Sequence, residues 1–293
     1  MSWYVHHVNL QAHDVRQAAA FFRDIVGLEE GVWTYPDKTG EVGHNPNTIA
    51  YFGTENRGLH IVRAIASFAA DNGFIHNPTI GGHFALCVPD LAAVKARLET
   101  AGVAISDAGV YAMAGIHQLY CFDPSSNIVE INQVVEPSGG AGPLQDAVHP
   151  IRKEPGDWYI HHVNRQAHDV PTTAAFYNKL IGMEPGIFVT PSADQIGDFD
   201  RSNNSLAVFG PENRGLHLVR GMATFHVDNS LMHNPTFGGH VALTVPSVEA
   251  VMKRMDRAGH LYSDAGTYAM AGMHQVYTYD PSMNFIEINQ DIN

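Results

Sequence analysis

The sequence predicts an α+β protein of two tandem domains, each with two copies of a unit in which a strand and a helix precede about three strands. First, the 293-residue chain repeats itself almost from end to end. Second, a strand followed by a capped helix occurs twice within each half. Third, the composition of 45% hydrophobic and 16% charged residues supplies a proper core and argues against disorder.

The internal repeat is carried by four long motifs. They are Trp3–Asn9 with Trp158–Asn164, Phe52–His60 with Phe209–His217, His76–His83 with His233–His240, and Asp123–Gln133 with Asp280–Gln290. Between the copies, residues 136–157 are rich in proline and glycine and lack apolar periodicity, which is typical of a linker. We therefore predict an N-terminal domain over 1–135 and a C-terminal domain over 158–293.

The elements of the first half follow in order. A strand over Tyr4–Gln11 precedes a helix that Asp14 caps and Gly27 ends. Extended, turn-punctuated segments come next. The pattern then restarts with a strand over His83–Val88, a helix capped by Asp90, and a hairpin around the turn DPSSN. The second half repeats this scheme.

Composition excludes several classes of function. The formal net charge of −13 argues against nucleic acid, because phosphate binding needs a basic surface. No apolar stretch approaches the length of a membrane span, and the N-terminus does not resemble a signal peptide. Two cysteines, Cys87 and Cys121, are too few for a disulfide framework. We expect a soluble, cytoplasmic protein that binds a small molecule. The sequence leaves open whether the chain forms a homo-oligomer.

Histidine is over-represented, with 18 copies, and the duplicated polar residues on predicted strands form one pattern. In chain order they are His7, His60, His83 and Glu130, and then His162, His217, His240 and Glu287. Two imidazoles and one carboxylate on one face leave metal positions open for substrate and O2, as in the 2-His-1-carboxylate sites of non-haem Fe(II). Duplicated core residues would give the same pattern, so a purely structural role is the competing interpretation.

Strand alternation chooses between the neighbouring histidines. His7 shares one face with Asn9 and Gln11. His6 shares the opposite, apolar face with Val8, which should pack on the helix. We therefore expect His7 to point into the site and His6 to be an ordinary hydrogen-bonded core or surface residue.

These motifs resemble the vicinal oxygen chelate superfamily, which includes glyoxalase I, fosfomycin resistance enzymes, bleomycin-binding proteins and type I extradiol dioxygenases. The matching segments are HHVNLQAHDV, GGHFALCVPDLAAVKARL and DPSSNIVEIN with their second copies, and they cover most of both halves. The resemblance implies four βαβββ modules paired into two open barrels, each around a metal. The ligands it implies are His7, His83 and Glu130, and then His162, His240 and Glu287.

Within the superfamily, the extradiol branch is the most similar. Tyr120 and Tyr277 precede the glutamates as in the motif whose tyrosine hydrogen-bonds a substrate oxygen. His60 and His217 resemble the acid–base histidine. Four further residues are expected to line the substrate pocket: Asn9, Gln118, Asn164 and Gln275.

Two features depart from the extradiol pattern. An upstream histidine is replaced by Tyr111 and Tyr268, and the glycine of a DPxG turn is replaced by Ser126 and Met283. A glyoxalase I reading would make His60 a fourth metal ligand instead.

The leading hypothesis is a ring-cleaving dioxygenase that uses Fe(II), or else Mn(II), to act on a catechol-like aromatic with O2. The second is a glyoxalase-type isomerase or lyase with Zn(II) or Ni(II). The third is a non-catalytic small-molecule binder, against which six duplicated ligand residues count. Segments 35–47 and 191–204 differ between the halves, and we expect substrate identity to lie there.

Overall fold

The computed structural model describes residues 3–33, 45–54, 56–111, 113–135, 158–189, 204–267 and 270–292. The chain divides into two compact units, each containing one seven-stranded sheet. The first is Met1–Ala20, Glu29–Pro150 and Lys179–Gly182, and the second is Phe21–Leu28, Ile151–Asn178 and Met183–Asn293. The predicted linker lies outside the described residues, so the domain bounds 1–135 and 158–293 stay a prediction.

The first sheet contains seven strands. They are β1 (Tyr4–Ala12), β2 (Ile49–Thr54), β3 (Arg57–Arg63), β4 (His83–Cys87), β5 (Ser106–Val110), β6 (Ile116–Phe122) and β7 (Ile128–Val134). Their order is β2-β3-β1-β4-β7-β6-β5. β1 runs parallel to β3 and β4 runs parallel to β7, while β1 and β4 pair antiparallel at the centre. Two similar strand groups therefore meet at the β1–β4 pair.

Two of the three helices described in this half begin where the sequence predicts. The three are α1 (Val15–Ala20), which continues into a π-helical turn (Phe21–Val26), α2 (Phe68–Asp71) and α3 (Leu91–Thr100). The sequence predicts α1 and α3 but not the short α2. Asp14 Oδ1 accepts from the backbone N–H of Gln17, and Asp90 Oδ1 accepts from that of Ala93. Each carboxylate thus satisfies a donor that the first helical turn leaves unpaired.

The second half repeats the arrangement. Its strands are β8 (Tyr159–Gln166), β9 (Leu206–Phe209), β10 (Gly215–Val219), β11 (His240–Thr244), β12 (Tyr262–Gly266), β13 (Met273–Tyr279) and β14 (Phe285–Asp291). Its helices are α4 (Val170–Phe176) with a π-helical turn (Tyr177–Ile181), α5 (Phe225–Asp228) and α6 (Val248–Ala258). The sheet order β12-β13-β14-β11-β8-β10-β9 corresponds to that of the first half, read from the other edge.

The α+β prediction is confirmed, with one difference in strand number. In each half the second unit has three strands after its helix, as expected, but the first unit has two among the described residues. Single bridges from Glu30 to Phe52 and from Pro185 to Phe209 stand where a third would pair. Neither sheet closes into a barrel through the strands that the structure describes. In the described part of the chain, no helix has the length and apolarity needed to cross a membrane.

A bulge changes the predicted alternation of β1. Across the β1–β4 pair, Val5 faces Leu86 and His7 faces Ala85, so His6 is an extra residue without an opposite number. The same shift in β8 leaves His161 without an opposite residue on β11. Because a bulge re-aims the side chain that it inserts, His6 does not simply take the face opposite His7. Its imidazole is buried and lies against that of His7.

Candidate metal centres

Three side chains converge on one point in the first half. His7 lies on β1, His83 begins β4, and Glu130 lies on β7. His7 Nε2 and His83 Nε2 are 3.2 Å apart, and Glu130 Oε2 lies 3.5 Å from the former and 3.3 Å from the latter. All three residues are buried. The structure thus brings together the three first-half residues that the family resemblance names as ligands.

The spacing of these three atoms fits a metal ion. Atoms about 2.1 Å from a metal lie roughly 3.0 Å apart at a right angle and roughly 3.4 Å apart at the tetrahedral angle. Burial would raise the pKa of Glu130, but the imidazoles of His7 and His83 hold that pKa well below its usual value. Burial lowers the pKa of His7, which favours the neutral imidazole that coordinates metals.

Hydrogen bonds on the far side of two candidate ligands fix which atoms face the centre. His83 Nδ1 lies 2.9 Å from the Pro78 carbonyl, which can only accept, so the proton is on Nδ1 and the Nε2 lone pair faces the site. Glu130 Oε1 accepts from Asn132 Nδ2 at 2.9 Å and from Gln118 Nε2 at 3.2 Å. Oε2 is therefore the oxygen presented to a metal.

The loop that supplies the Pro78 carbonyl explains the repeated HNPTxGGH motif. Gly81 donates its backbone N–H to Gln11 Oε1. Gly82 has φ +71, and a Cβ there would lie 2.6 Å from the Asn9 carbonyl oxygen. The second glycine is therefore needed for the close approach to β1 that places His83 beside His7.

His60 lies beside the three candidate ligands without joining them. Its ring stacks on that of His7, with centroids 4.0 Å apart and an interplanar angle of 20°. Its Nε2 donates to the backbone carbonyl of Asn56 at 2.9 Å, so Nδ1 carries the lone pair. Asn56 can present that carbonyl because its backbone has φ 58 in the β2–β3 turn. Burial holds the pKa of His60 well below its ordinary value, so the imidazole is neutral.

Polar residues next to the centre are also buried. Gln118 Nε2 donates to the Tyr120 hydroxyl at 2.9 Å. Burial and the charge of Glu130 raise the pKa of Tyr120 well above its ordinary value, so the phenol stays protonated. Asn9 faces His60 on β3 and His83 on β4, and its Oδ1 is buried without a hydrogen-bond partner among the described residues.

The second half builds the same centre. His162 Nε2 and His240 Nε2 are 3.3 Å apart, and Glu287 Oε2 lies 3.6 and 3.3 Å from them. His217 stacks on His162 at 4.1 Å and donates from Nε2 to the Asn213 carbonyl at 2.8 Å. Burial lowers the pKa of His217 to about 4.

A cavity opens onto this second centre. The space inside its walls, with open solvent included, is about 450 Å³. All five second-half residues predicted to bind metal or act in catalysis line it, and so do the two predicted to bind substrate. It is lined by His162, Asn164, His217, His240, Gln275, Tyr277 and Glu287, together with apolar side chains such as Phe188. The substrate-lining roles predicted for Asn164 and Gln275 are compatible with that placement.

Sequence reasoning missed several residues that hold the centre. Asn132 and Asn289 bind the glutamates, Asn56 holds His60, and His6 contacts His7. The signal for the first two was the repeated EINQ motif, in which the asparagine shares a strand face with the glutamate. His117, another histidine that the second half repeats, has its Nε2 2.7 Å from Asp107 Oδ1 and is not in the group of ligand atoms.

Some predicted features fall elsewhere or cannot be placed. Tyr111 packs edge-on to Phe74 at a centroid distance of 5.9 Å. Tyr268 and most of segments 35–47 and 191–204 lie outside the described residues.

The sequence comparison identifies the family of the first half. Residues 4–131 match the Glyoxalase/Bleomycin resistance protein/Dioxygenase superfamily. The chain therefore contains a domain of this superfamily, as the motifs predicted. A comparison with curated protein sequences finds no match.

Solved structures of dioxygenases and of a glyoxalase share the two-domain fold. The chain is similar to the 2,3-dioxygenase LapB from Pseudomonas sp. KL28, with a TM-score of 0.62 and 13% identity over 99% of this chain and 92% of that one. A Mn(II)-bound glyoxalase from Novosphingobium aromaticivorans gives 0.60 and 16%, over 100% and 84%. A variant of homoprotocatechuate 2,3-dioxygenase from Brevibacterium fuscum gives 0.60 and 15%, over 100% and 72%. At these identities the likeness concerns the fold.

Proposed function

We propose that the protein is a metal-dependent extradiol-type dioxygenase that cleaves the ring of a catechol-like small aromatic with O2. The orientation of His60 and His217 carries the proposal. Each is held by an asparagine carbonyl and stacked on a ligand, outside the group of ligand atoms. Two imidazoles and one carboxylate then leave coordination positions open for two substrate oxygens and O2.

Fe(II) is the metal that best suits this donor set and this reaction, with Mn(II), Zn(II) or Ni(II) as the other candidates. When bound, the metal would supply Lewis acidity, a template for substrate oxygens and a path for electrons. The residues that would coordinate it are His7, His83 and Glu130 in the first half, and His162, His240 and Glu287 in the second.

The surrounding residues have roles that follow from their protonation. His60 and His217 present a neutral Nδ1 that can take a proton from a substrate hydroxyl and later return it. Tyr120 and Tyr277 would hold a substrate oxygen. Asn9 and Asn164 offer a buried Oδ1 that would accept from a substrate donor.

A glyoxalase-type isomerase is the second candidate, favoured by the similarity to the Mn(II)-bound glyoxalase. It would use His60 as a fourth ligand, which requires the ring to move from its stacked position so that a lone pair joins the group of ligand atoms. A non-catalytic binder is the third, and it gives no reason for two buried ligand sets.

Oxygen uptake tests the proposal. The full chain is loaded anaerobically with Fe(II) and mixed with a panel of catechols in an oxygen electrode, beside the His83→Ala/His240→Ala double variant. We expect uptake and a ring-opened product from the wild type alone. Absence of uptake from protein that has bound iron would overturn the dioxygenase proposal. Isomerisation of a hemithioacetal without O2 would favour the glyoxalase candidate instead.

A further inference from the structure

The bulges in β1 and β8 place a second histidine beside the first ligand of each centre. His6 Nδ1 lies 3.0 Å from His7 Nδ1, and His161 Nδ1 lies 3.0 Å from His162 Nδ1. The ring planes are nearly perpendicular in both pairs, at 80° and 81°. Side chains of consecutive strand residues normally point to opposite faces, so this contact depends on the bulge.

Counting protons assigns the donor in this contact. His7 Nε2 lies in the ligand triangle and must present a lone pair to a metal. A neutral imidazole carries one ring proton, so that of His7 is on Nδ1. Two nitrogens 3.0 Å apart share a single proton, so His6 Nδ1 is the acceptor. His6 therefore carries its own proton on Nε2, an atom that is buried without a hydrogen-bond partner among the described residues.

We propose that His6 and His161 are positioning residues that accept the Nδ1 proton of the neighbouring ligand and so fix the Nε2 lone pair toward the metal. The inference rests on the proposed metal site but not on the reaction. Metal-binding histidines commonly donate their second N–H to a carboxylate, carbonyl or water, and this outer partner orients the ring. Here a neutral imidazole takes that place, so Glu130 and Glu287 remain the negative charges in direct contact with the ligands.

His83 offers an internal comparison. Its Nδ1 proton goes to the Pro78 carbonyl, which belongs to a loop. His7 lies within β1, where neighbouring carbonyls are engaged in the sheet. A side-chain acceptor inserted by the bulge is therefore the local solution, and its recurrence in β8 makes a chance contact a poor explanation.

The test compares three substitutions of His6 in the full chain. His6→Asn keeps an acceptor oxygen near the Nδ1 position, His6→Gln moves it toward the Nε2 position, and His6→Leu removes it. Each is made in the His240→Ala background, so that the first centre is observed alone. His161 variants in the His83→Ala background repeat the test. The exposed His13→Leu change is the control.

Two readouts are measured with Co(II). The first is the dissociation constant from the visible absorption of bound Co(II). We expect His6→Leu to weaken binding about 10- to 100-fold, His6→Gln to weaken it also, and His6→Asn to stay within about 3-fold of the parent. The second is the exchangeable, paramagnetically shifted N–H proton of His7, which should persist in His6→Asn and broaden in His6→Leu.

The outcomes separate the inference from the proposed function. An unchanged affinity and N–H signal in His6→Leu overturns the positioning role. Equal losses in all three variants, with the N–H signal kept, would mean that His6 only packs, and also overturns it. If His6→Leu does not fold, His6→Asn against His6→Gln decides. A parent protein that binds no Co(II) overturns the metal site itself.

Discussion

Asn132 and its counterpart Asn289 both donate from Nδ2 to the ligand glutamate, but their carbonyl oxygens differ. Thr244 Oγ1 donates to Asn289 Oδ1 at 2.6 Å. Cys87 stands at the equivalent place in the first half, where Asn132 Oδ1 is buried and lacks a hydrogen-bond partner among the described residues. In the second half the asparagine behind the glutamate is therefore held by a hydrogen bond that its counterpart lacks among the described residues of the first half.

The opposite asymmetry is found at the second histidine of each centre. His83 donates to the Pro78 carbonyl, whereas His240 Nδ1 is buried without a hydrogen-bond partner in the described part of the chain. The aromatic side chains around the stacked histidines also differ. The ring centroids of Trp33 and Tyr51 lie 4.5 and 5.5 Å from that of His60, while the centroid of Phe188 lies 5.6 Å from that of His217. The repeats keep the atoms that face the centre and vary what lies behind them.

The largest effect is expected at the stacked histidines. The His60→Gln/His217→Gln double variant should lose about 10²- to 10⁴-fold in kcat, because a general base is removed. Each single variant should keep the turnover of the other half, which reveals how activity is divided. The measurement is oxygen uptake with iron content determined in parallel. Iron lost together with activity would make these histidines ligands and favour the glyoxalase candidate.

Metal-free protein should lose stability as the pH falls. His217 has a pKa of about 4 in the folded state against about 6.5 unfolded, so below pH ~6.5 the unfolded chain binds a proton that the folded chain does not. The contribution of His217 to the free energy of unfolding is complete above pH ~6.5. It is lost toward pH ~4, at about 1.4 kcal/mol per pH unit, or ~3 kcal/mol in all. Urea denaturation of wild type and His217→Gln measures it. Parallel stability curves would contradict the burial of a neutral His217.

Exchanging the residues behind the glutamates should change stability by smaller amounts. Thr244→Val leaves Asn289 Oδ1 without its donor and should cost about 1–3 kcal/mol of unfolding free energy. Cys87→Thr gives Asn132 Oδ1 a donor and should add about 1 kcal/mol. Chemical denaturation of the two variants checks both signs. A destabilising Cys87→Thr would show that the two sites cannot be exchanged.

The smallest effect concerns the turns before the ligand glutamates. Ser126 and Met283 have φ 65 and 66, a left-handed conformation that favours glycine. Met283→Gly and Ser126→Gly should each add about 0.5–1 kcal/mol, since the strain relieved exceeds the entropy that glycine adds to the unfolded chain. Met283→Ala is the matched control and should give no gain. Equal melting temperatures for the glycine and alanine variants would refute this account.

Local signals in the sequence predicted most of the fold. Asp14 and Asp90 mark helix starts, and the DPSSN turn marks the β6–β7 hairpin, because each acts on backbone groups a few residues away. The place of His6 could not be predicted. Alternation puts it opposite His7, and only the pairing of β1 with β4, distant in sequence, shows the bulge. Asn56 escaped for a related reason, since it acts through its backbone carbonyl.

Within the site, the family resemblance named the three residues that converge in each half, but residue patterns alone left four candidates. The position of His60 in the slot equivalent to Glu130 gave no means of separating a ligand from a base. The placement of His60, stacked on His7 and outside the group of ligand atoms, favours the base, and it depends on a turn geometry that the motif FGTENRGLH does not reveal by itself.

The number of metal ions bound per chain tests most directly the claim that each half holds one complete centre. Protein reconstituted with Fe(II) without oxygen, freed of excess metal and analysed by elemental analysis should hold two ions. His83→Ala and His240→Ala should each hold one, and the double variant none. A wild-type chain that holds one ion, lost only on His240→Ala, would contradict the equivalence of the two centres, and a chain that holds none would contradict the account as a whole.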